Sequence, residues 1–294
     1  MPAAKKASAT KATRTSGSPA DMLAALLLDR APPEDLAAYG DDALHRAAEL
    51  DYAALRKHRK GDSIVSIERD PGIEREGRRA SVVTVVNDNM PFLFDSVMGE
   101  IAERAGEPFL VTHPVIAVTH GKAGVTAIAD GAARGEEADK VSVIHVHVPL
   151  LSADRAEALE KALQRILDQV RAAVVDWKHM LARLDQAIAS YRYSDAPLKK
   201  EAMAEAIAFL EWLRDDNFTF LGMRDYRYVG NDKTGRLERV DRPGLGLLED
   251  PDMLVLRSGT EAVTTTPEIR AFLHGPDPLI VTKANAKSQV HRRI

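Results

Sequence analysis

One stretch narrows the folding options of this chain more than any other: RRASVVTVVNDNMPFLFDSVMGEIAERAG, residues 78–106. Val82, Val83, Val85 and Val86 make a β-branched run suited to a strand. The run halts at Asn87-Asp88-Asn89, and Pro91 follows. Apolar spacing then switches to the helical period, since Leu93, Val97, Ile101 and Ala105 recur four apart with Phe94 and Met98 beside them. The expected helix runs from about Pro91 to Ala105, with Gly106 as its C-cap. A strand delivered straight into a helix points to mixed α and β structure.

Two acids and two amides crowd that strand-to-helix turn, and ligands often bind at such turns. Asp88 and Asp95 are the right residue type for an acid/base pair, and Asp95 falls where a carboxylate meets the helix dipole favourably. Asn87, Asp88 or Asn89 can cap the helix start through a side-chain oxygen, which accounts for them without catalysis. Free backbone N–H groups at a helix start also bind carboxylates and phosphates. Asn87, Asp88, Asn89 and Asp95 are therefore the candidate effector-binding residues, for a small anionic ligand.

The rest of the chain arranges itself around this unit. Residues 1–19 read as a disordered basic tail, and 20–62 as a helical segment broken at Pro32-Pro33 and Gly40, with Asp21 as the first cap. SIVSIERDPG is a strand ending in a turn signal, and PFLVTHPVIAVTH a long strand with Pro114 at an edge or bend. GKAGVTAIADGAARGEEADK reads as a charged connection, and VSVIHVHVPL as another strand. A helix starts at Ser152, and its stripe of Leu159, Leu163, Ile166, Val170, Ala173, Trp177, Leu181, Leu184 and Ile188 suits packing within the chain or pairing between subunits. Strand, helix, strand, strand, helix lacks only a final strand of the ferredoxin-like βαββαβ pattern. The expected domains are thus 63–195, ending in the long helix, and 196–294, a second α+β module cut off at its end. In that module a helix over 198–215, a strand NFTFLGMRDYRYV, a turn NDKTG and a partner RLERV are expected. A glycine loop PGLGLLED, a strand MLVLRS, a helix TPEIRAFLHG and a last strand from DPLIV follow.

Composition removes several chemistries. The 294 residues carry a net charge of −4, which gives no global electrostatic case for nucleic acid or an anionic membrane. With no cysteine there is no disulfide, thiolate zinc site or Cys nucleophile, and the chain is expected in the cytoplasm. GLGLLE, residues 244–249, has two glycines of a dinucleotide fingerprint but no helix after it, so it reads as a turn. His145 and His147 share one strand face, with His113 and His120 on a neighbouring strand as the candidates to complete a metal site. Polar positions on a covered sheet are favoured over a metal.

Five stretches in order resemble the N-terminal region of the large bacterial-type NAD-specific glutamate dehydrogenases. They are VNDNMPFLFDSVMGEI (86–101), HPVIAV (113–118), EAIAFLEWLRDDNFTFLGMRDYRY (205–228), GLGLLED (244–250) and LIVTKANAKSQVHR (279–292). The resemblance covers the chain from about residue 20 onward and implies a longer polypeptide, in which a regulatory region with ACT-like modules precedes the catalytic part. No catalytic or cofactor-binding residue of that part has a counterpart here, so NAD is expected for the full-length enzyme and no cofactor in this segment. The resemblance makes the 63–195 unit ACT-like, a domain type that commonly binds amino acids at its first strand-to-helix turn. The usual ACT loop there has a glycine after its proline; here Phe92 follows Pro91.

The resulting expectation is a regulatory and assembly segment of an oligomeric glutamate dehydrogenase. Its partners would be other subunits, the downstream catalytic region and an amino-acid effector, with neither nucleic acid nor membrane. The alternatives are a stand-alone ACT-like amino-acid-binding protein and a metal-dependent enzyme built on the four histidines.

Overall fold

The computed structural model describes residues 19–29, 31–131, 139–195, 197–231, 234–251, 262–264, 267–279, 281 and 290. Its contacts divide the chain into two units, one of Met1–Asn89 with Ala105–Ala156, the other of Met90–Arg104 with Glu157–Ile294.

The first unit opens with α1 (Pro19–Leu28), α2 (Pro33–Leu36) and α3 (Asp41–Leu55). Pro33 starts α2, where a missing N–H is harmless. Asp21 sits inside the first turn of α1 rather than ahead of it. The sheet follows, with β1 (Ser63–Arg75), β2 (Arg78–Asp88), β3 (Leu110–Thr112), β4 (Val115–Gly121), β5 (Gly124–Asp130) and β6 (Asp139–Pro149). Every pairing is antiparallel, in the order β1-β2-β6-β4-β5, with β3 also on β6. β3 and β4 keep one register against β6, since Thr112 faces His145 and Val115 faces Ser142. Pro114 interrupts the ladder because it has no N–H, yet its carbonyl still accepts from Val143 N at 3.1 Å.

Counted from β2, the first strand lies beside the third, β6, which lies beside the second, β3–β4. This is the inner arrangement of a ferredoxin-like sheet. The place next to β2 that a final strand would fill is held by β1, which comes earlier in the chain. The missing strand of the expected pattern is therefore supplied from the N-terminal side. β5 is an addition at the opposite edge, and it corrects the reading of residues 121–140 as a connection throughout.

Asp70-Pro71-Gly72 is likewise not the turn between β1 and β2. The register shifts between Glu68 and Ile73, so this sequence forms a bulge. Ser81 sits opposite it, donating to Arg69 O at 2.6 Å while accepting from Leu151 N at 2.9 Å. The turn falls at Glu76-Gly77, where φ values of 50° and 77° match the mirror-image hairpin turn that the twist of paired strands favours.

β2 is buried without a break from Ala80 to Asn87, and β6 from Val141 to Val148, so both are covered on two faces. On one face, Leu23, Leu27, Ala48 and Leu55 of the helices meet Val86, Ile116, Val141 and Val143. Tyr39 and Ala47 meet Ile73, Val82 and Leu110 nearby. Each fully buried Val, Ile or Leu contributes about 1.5–3 kcal/mol.

The second unit contains α4 (Leu93–Arg104), then α5 (Ala153–Val175) from Glu157 onward, α6 (Trp177–Arg192) and α7 (Lys200–Trp212). Gly106, just past α4, has a φ of 89°, the left-handed cap expected of it. The long apolar stripe is carried by two helices that meet at Asp176, where ψ opens to −1°. Leu184 and Ile188 of α6 pack on Leu210 of α7, with Ile207, Phe220 and Met223 against them.

A kinked turn, Leu213–Asn217, ends α7, with Asp216 at a φ of 57°. The expected strand 217–229 is split into β7 (Gly222–Met223) and β8 (Tyr226–Val229). β8 pairs β9 (Arg236–Arg239) as a hairpin, β7 pairs β10 (Leu245–Gly246), and β11 (Ala262–Thr264) pairs β9. The helix expected near 265–275 is α8 (Pro267–Leu273). The expected strand at 253–258 lies outside the described residues; of the one expected from Asp277, described residues 277–279 and 281 are not in a strand.

Candidate functional site

The sequence candidates at the end of β2 are committed to the fold in specific ways. Asn87 is 1% exposed. Its Oδ1 accepts from Ser63 Oγ at 2.5 Å, and its Nδ2 donates to Asp88 O at 2.8 Å. Asp88 Oδ2 accepts from Gly61 N at 2.8 Å, which ties the α3–β1 loop to the strand end. Asn89 continues the ladder, its N–H donating to Lys140 O at 2.9 Å while Oδ1 accepts from Ser142 Oγ, also at 2.9 Å. These side chains fix where β1 and β6 begin. Asp95 lies in the first turn of α4, exposed, in the other unit.

Around Asp88 runs a chain of ionisable groups that sequence reasoning missed. His58, fully buried just after α3, places Nε2 3.6 Å from Asp88 Oδ1. Its Nδ1 lies 3.2 Å from His120 Nε2. His120 Nδ1 in turn lies 3.4 Å from Asp139 Oδ2, and Lys60 Nζ donates to Asp139 Oδ1 at 2.7 Å. Burial holds His58 below the ordinary histidine value of 6.5, against the opposing pull of Asp88. The Lys60 bond holds Asp139 below the usual carboxylate range.

His145 and His147 do share one face, as the alternation requires, with ring centroids 4.6 Å apart. Their neighbours are structural. His145 Nδ1 lies 2.7 Å from Asp51 Oδ2, and Thr84 Oγ1 donates to Asp51 Oδ1 at 2.5 Å. Asp51 is 0% exposed on the inner face of α3, among Ala47, Ala48 and Leu55, so an acid on that apolar face was the available signal. Burial, and then His145, push His147 well below 6.5, which keeps its ring neutral. Tyr39 meets that ring edge-on at 5.0 Å, and burial pushes the Tyr39 hydroxyl up to about 12. His120 belongs to the other chain of groups, beside Asp139. His113 is half-buried, and burial lowers it too. Among the described residues no three His, Asp or Glu are placed to hold a metal ion.

At position 92 a phenylalanine stands in a backbone conformation that suits glycine. Phe92 has a φ of 66°, in the left-handed region where glycine is at ease. It lines a cleft of about 410 Å3 with Pro91, Trp177, Leu181, Phe218 and Phe220, all within the second unit. The Gly244–Glu249 glycines also have a local reason. A Cβ at Gly244 would lie 1.8 Å from Leu248 O, and Gly246 turns at a φ of 58° where β10 meets β7. No helix among the described residues is long and apolar enough to cross a membrane.

Residues 23–163 match the family described as the ACT1 domain of glutamate dehydrogenase. The chain is 27% identical over 229 residues to an NAD-specific glutamate dehydrogenase of Pseudomonas aeruginosa, across 76% of this chain and 14% of that protein. It is 29% identical over 284 residues to the NAD-specific glutamate dehydrogenase of Halomonas elongata, across 93% of this chain and 17% of that one. It therefore spans only a small part of the length of these relatives. No solved structure matches it.

Proposed function

We propose that this chain, whose residues 23–163 match the glutamate dehydrogenase ACT1 family, is a regulatory and assembly segment of an NAD-dependent glutamate dehydrogenase. The whole enzyme would convert L-glutamate, NAD and water to 2-oxoglutarate, ammonia and NADH. This segment would take no part in the chemistry. It would dock on other subunits of a cytoplasmic homo-oligomer and on the catalytic region, where NAD would bind.

The observation that carries the reading is the domain match combined with the use of the polar groups at the end of β2. Asn87 and Asp88 bond to backbone and neighbouring side chains that hold strand ends, which supports a binding platform or interface there. Effector contact is proposed for Asn87, Asp88 and Asn89 at the strand end and, as a separate candidate, for Asp95 in the first turn of α4. Calorimetric titration of the purified chain with glutamate, aspartate and other amino acids tests this. Heat from an amino acid that disappears in Asp88→Ala or Asp95→Ala makes the turn a sensor. Heat untouched by either substitution removes these residues from the effector site and leaves assembly as the role.

A further inference from the structure

The second unit holds an arginine cleft that the proposed function does not use. Arg183 of α6, Arg224 and Asp225 between β7 and β8, and Arg242 after β9 line an open hollow of about 630 Å3. Gln186 and Ser190 of α6 add hydrogen-bonding groups to its wall. This size lies within the range of roughly 300–1,000 Å3 usual for small-ligand sites.

Charge in the cleft does not balance. Arg183 Nη1 and Arg242 Nη1 both address Asp225 Oδ2, at 3.7 and 3.3 Å. Two guanidinium groups thus share one carboxylate oxygen. Both distances exceed the roughly 2.7–2.9 Å of a strong charge-assisted bond. Among the described residues, Arg183 also makes two weak contacts to Pro243 O, each at 3.4 Å. A guanidinium has five N–H donors in a planar fork, so these two have donors to spare. Arg224 is oriented separately, its fork donating to Leu248 O at 2.7 Å and Asp250 O at 2.6 Å. Among the described residues lining the cleft, Asp225 is the one carboxylate.

We propose that this cleft binds a small dianion, a dicarboxylate or a phosphate, with Arg183 and Arg242 as the anion-holding pair and Asp225 as the internal counter-charge that the ligand displaces. The inference stands apart from the regulatory reading, because it rests on Arg183, Arg242 and Asp225 alone. Planar forks suit the two oxygens of a carboxylate or phosphate, and a second acidic group meets the second fork.

The test is calorimetric titration of the full 294-residue chain with glutarate and, separately, with inorganic phosphate, at low and at moderate salt. At least one anion should bind, more weakly as salt rises. Heat from glutarate alone identifies a carboxylate site, and heat from phosphate alone a phosphate site. Arg242→Gln, at a half-exposed position, should weaken binding roughly tenfold or more. Asp225→Asn should tighten it, an effect opposite to that of a merely damaged fold. No heat with either anion overturns the proposal. So does an affinity unchanged in Arg242→Gln, or one that fails to rise in Asp225→Asn.

Discussion

His58 Nδ1 and His120 Nε2 face each other at 3.2 Å, so one ring must donate and the other accept. Asp88 stands on the far side of His58, Asp139 and Lys60 on the far side of His120, and Asp62 also faces His58. Burial disfavours a proton's charge on His58. Acid therefore works against this arrangement at the end of the sheet.

The sign of the pH dependence follows. His58, His113 and His147 are all held below 6.5 by burial, so the unfolded chain binds protons that the folded unit refuses. Their stabilising effect is complete above the unfolded value of about 6.5 and is lost progressively as pH falls below it. Thermal unfolding followed from pH 8 to pH 5 should show a plateau and then a fall in midpoint. In His147→Leu that fall should be shallower. A midpoint that rises on acidification contradicts the account.

Asp51 is expected to be the most costly acid to remove. It is fully buried against His145 and Thr84, so Asp51→Ala leaves two buried polar partners without their acceptor. A loss of about 3 kcal/mol in urea unfolding is expected. Asp154→Ala, at an exposed helix start, should cost under about 1 kcal/mol.

At position 92 the usual order of alanine over glycine should reverse. The left-handed backbone there costs an alanine about 1 kcal/mol that glycine does not incur. Phe92→Gly is expected to be more stable than Phe92→Ala by about that amount. The opposite order in denaturant midpoints would mean that the turn is not left-handed.

Gly124 offers a steric counterpart. Its φ is 130°, and a Cβ on it would lie 2.0 Å from Arg56 O, where the β4–β5 turn meets the end of α3. Gly124→Ala should cost about 2 kcal/mol or more. Gly40→Ala, with nothing within 4 Å of its Cβ, should cost far less by the same measurement.

Much of the central architecture could be read from residues because strong periodicities marked it. The β2–α4 switch at Asn87–Pro91, the pairing-ready β6 and the Gly106 cap are set by side-chain pattern and by glycine's tolerance of positive φ. β5 escaped because its GVTAIAD is short, alanine-bearing and followed by glycine, and so resembles a connection more than a strand. The Asp70-Pro71-Gly72 bulge escaped because the same residues also build turns, and only the pairing of Ile73 with Ala80 decides between them. The strand-to-helix turn was legible, but the bonds its side chains make were not. They run to Gly61, Ser63 and Ser142, residues brought there by the sheet and not by proximity in sequence. His58 and Asp139 carried no local signal for the same reason.

The central proposal is that this chain serves in regulation and assembly, with the chemistry done elsewhere. The measurement that addresses it most directly is glutamate-dependent NADH formation by the purified 294-residue chain, with NAD binding followed in parallel by calorimetry. No NADH and no NAD heat, from a chain that unfolds cooperatively, is the predicted result. Turnover of glutamate, or saturable NAD binding, would place a reaction centre in these residues and contradict the account.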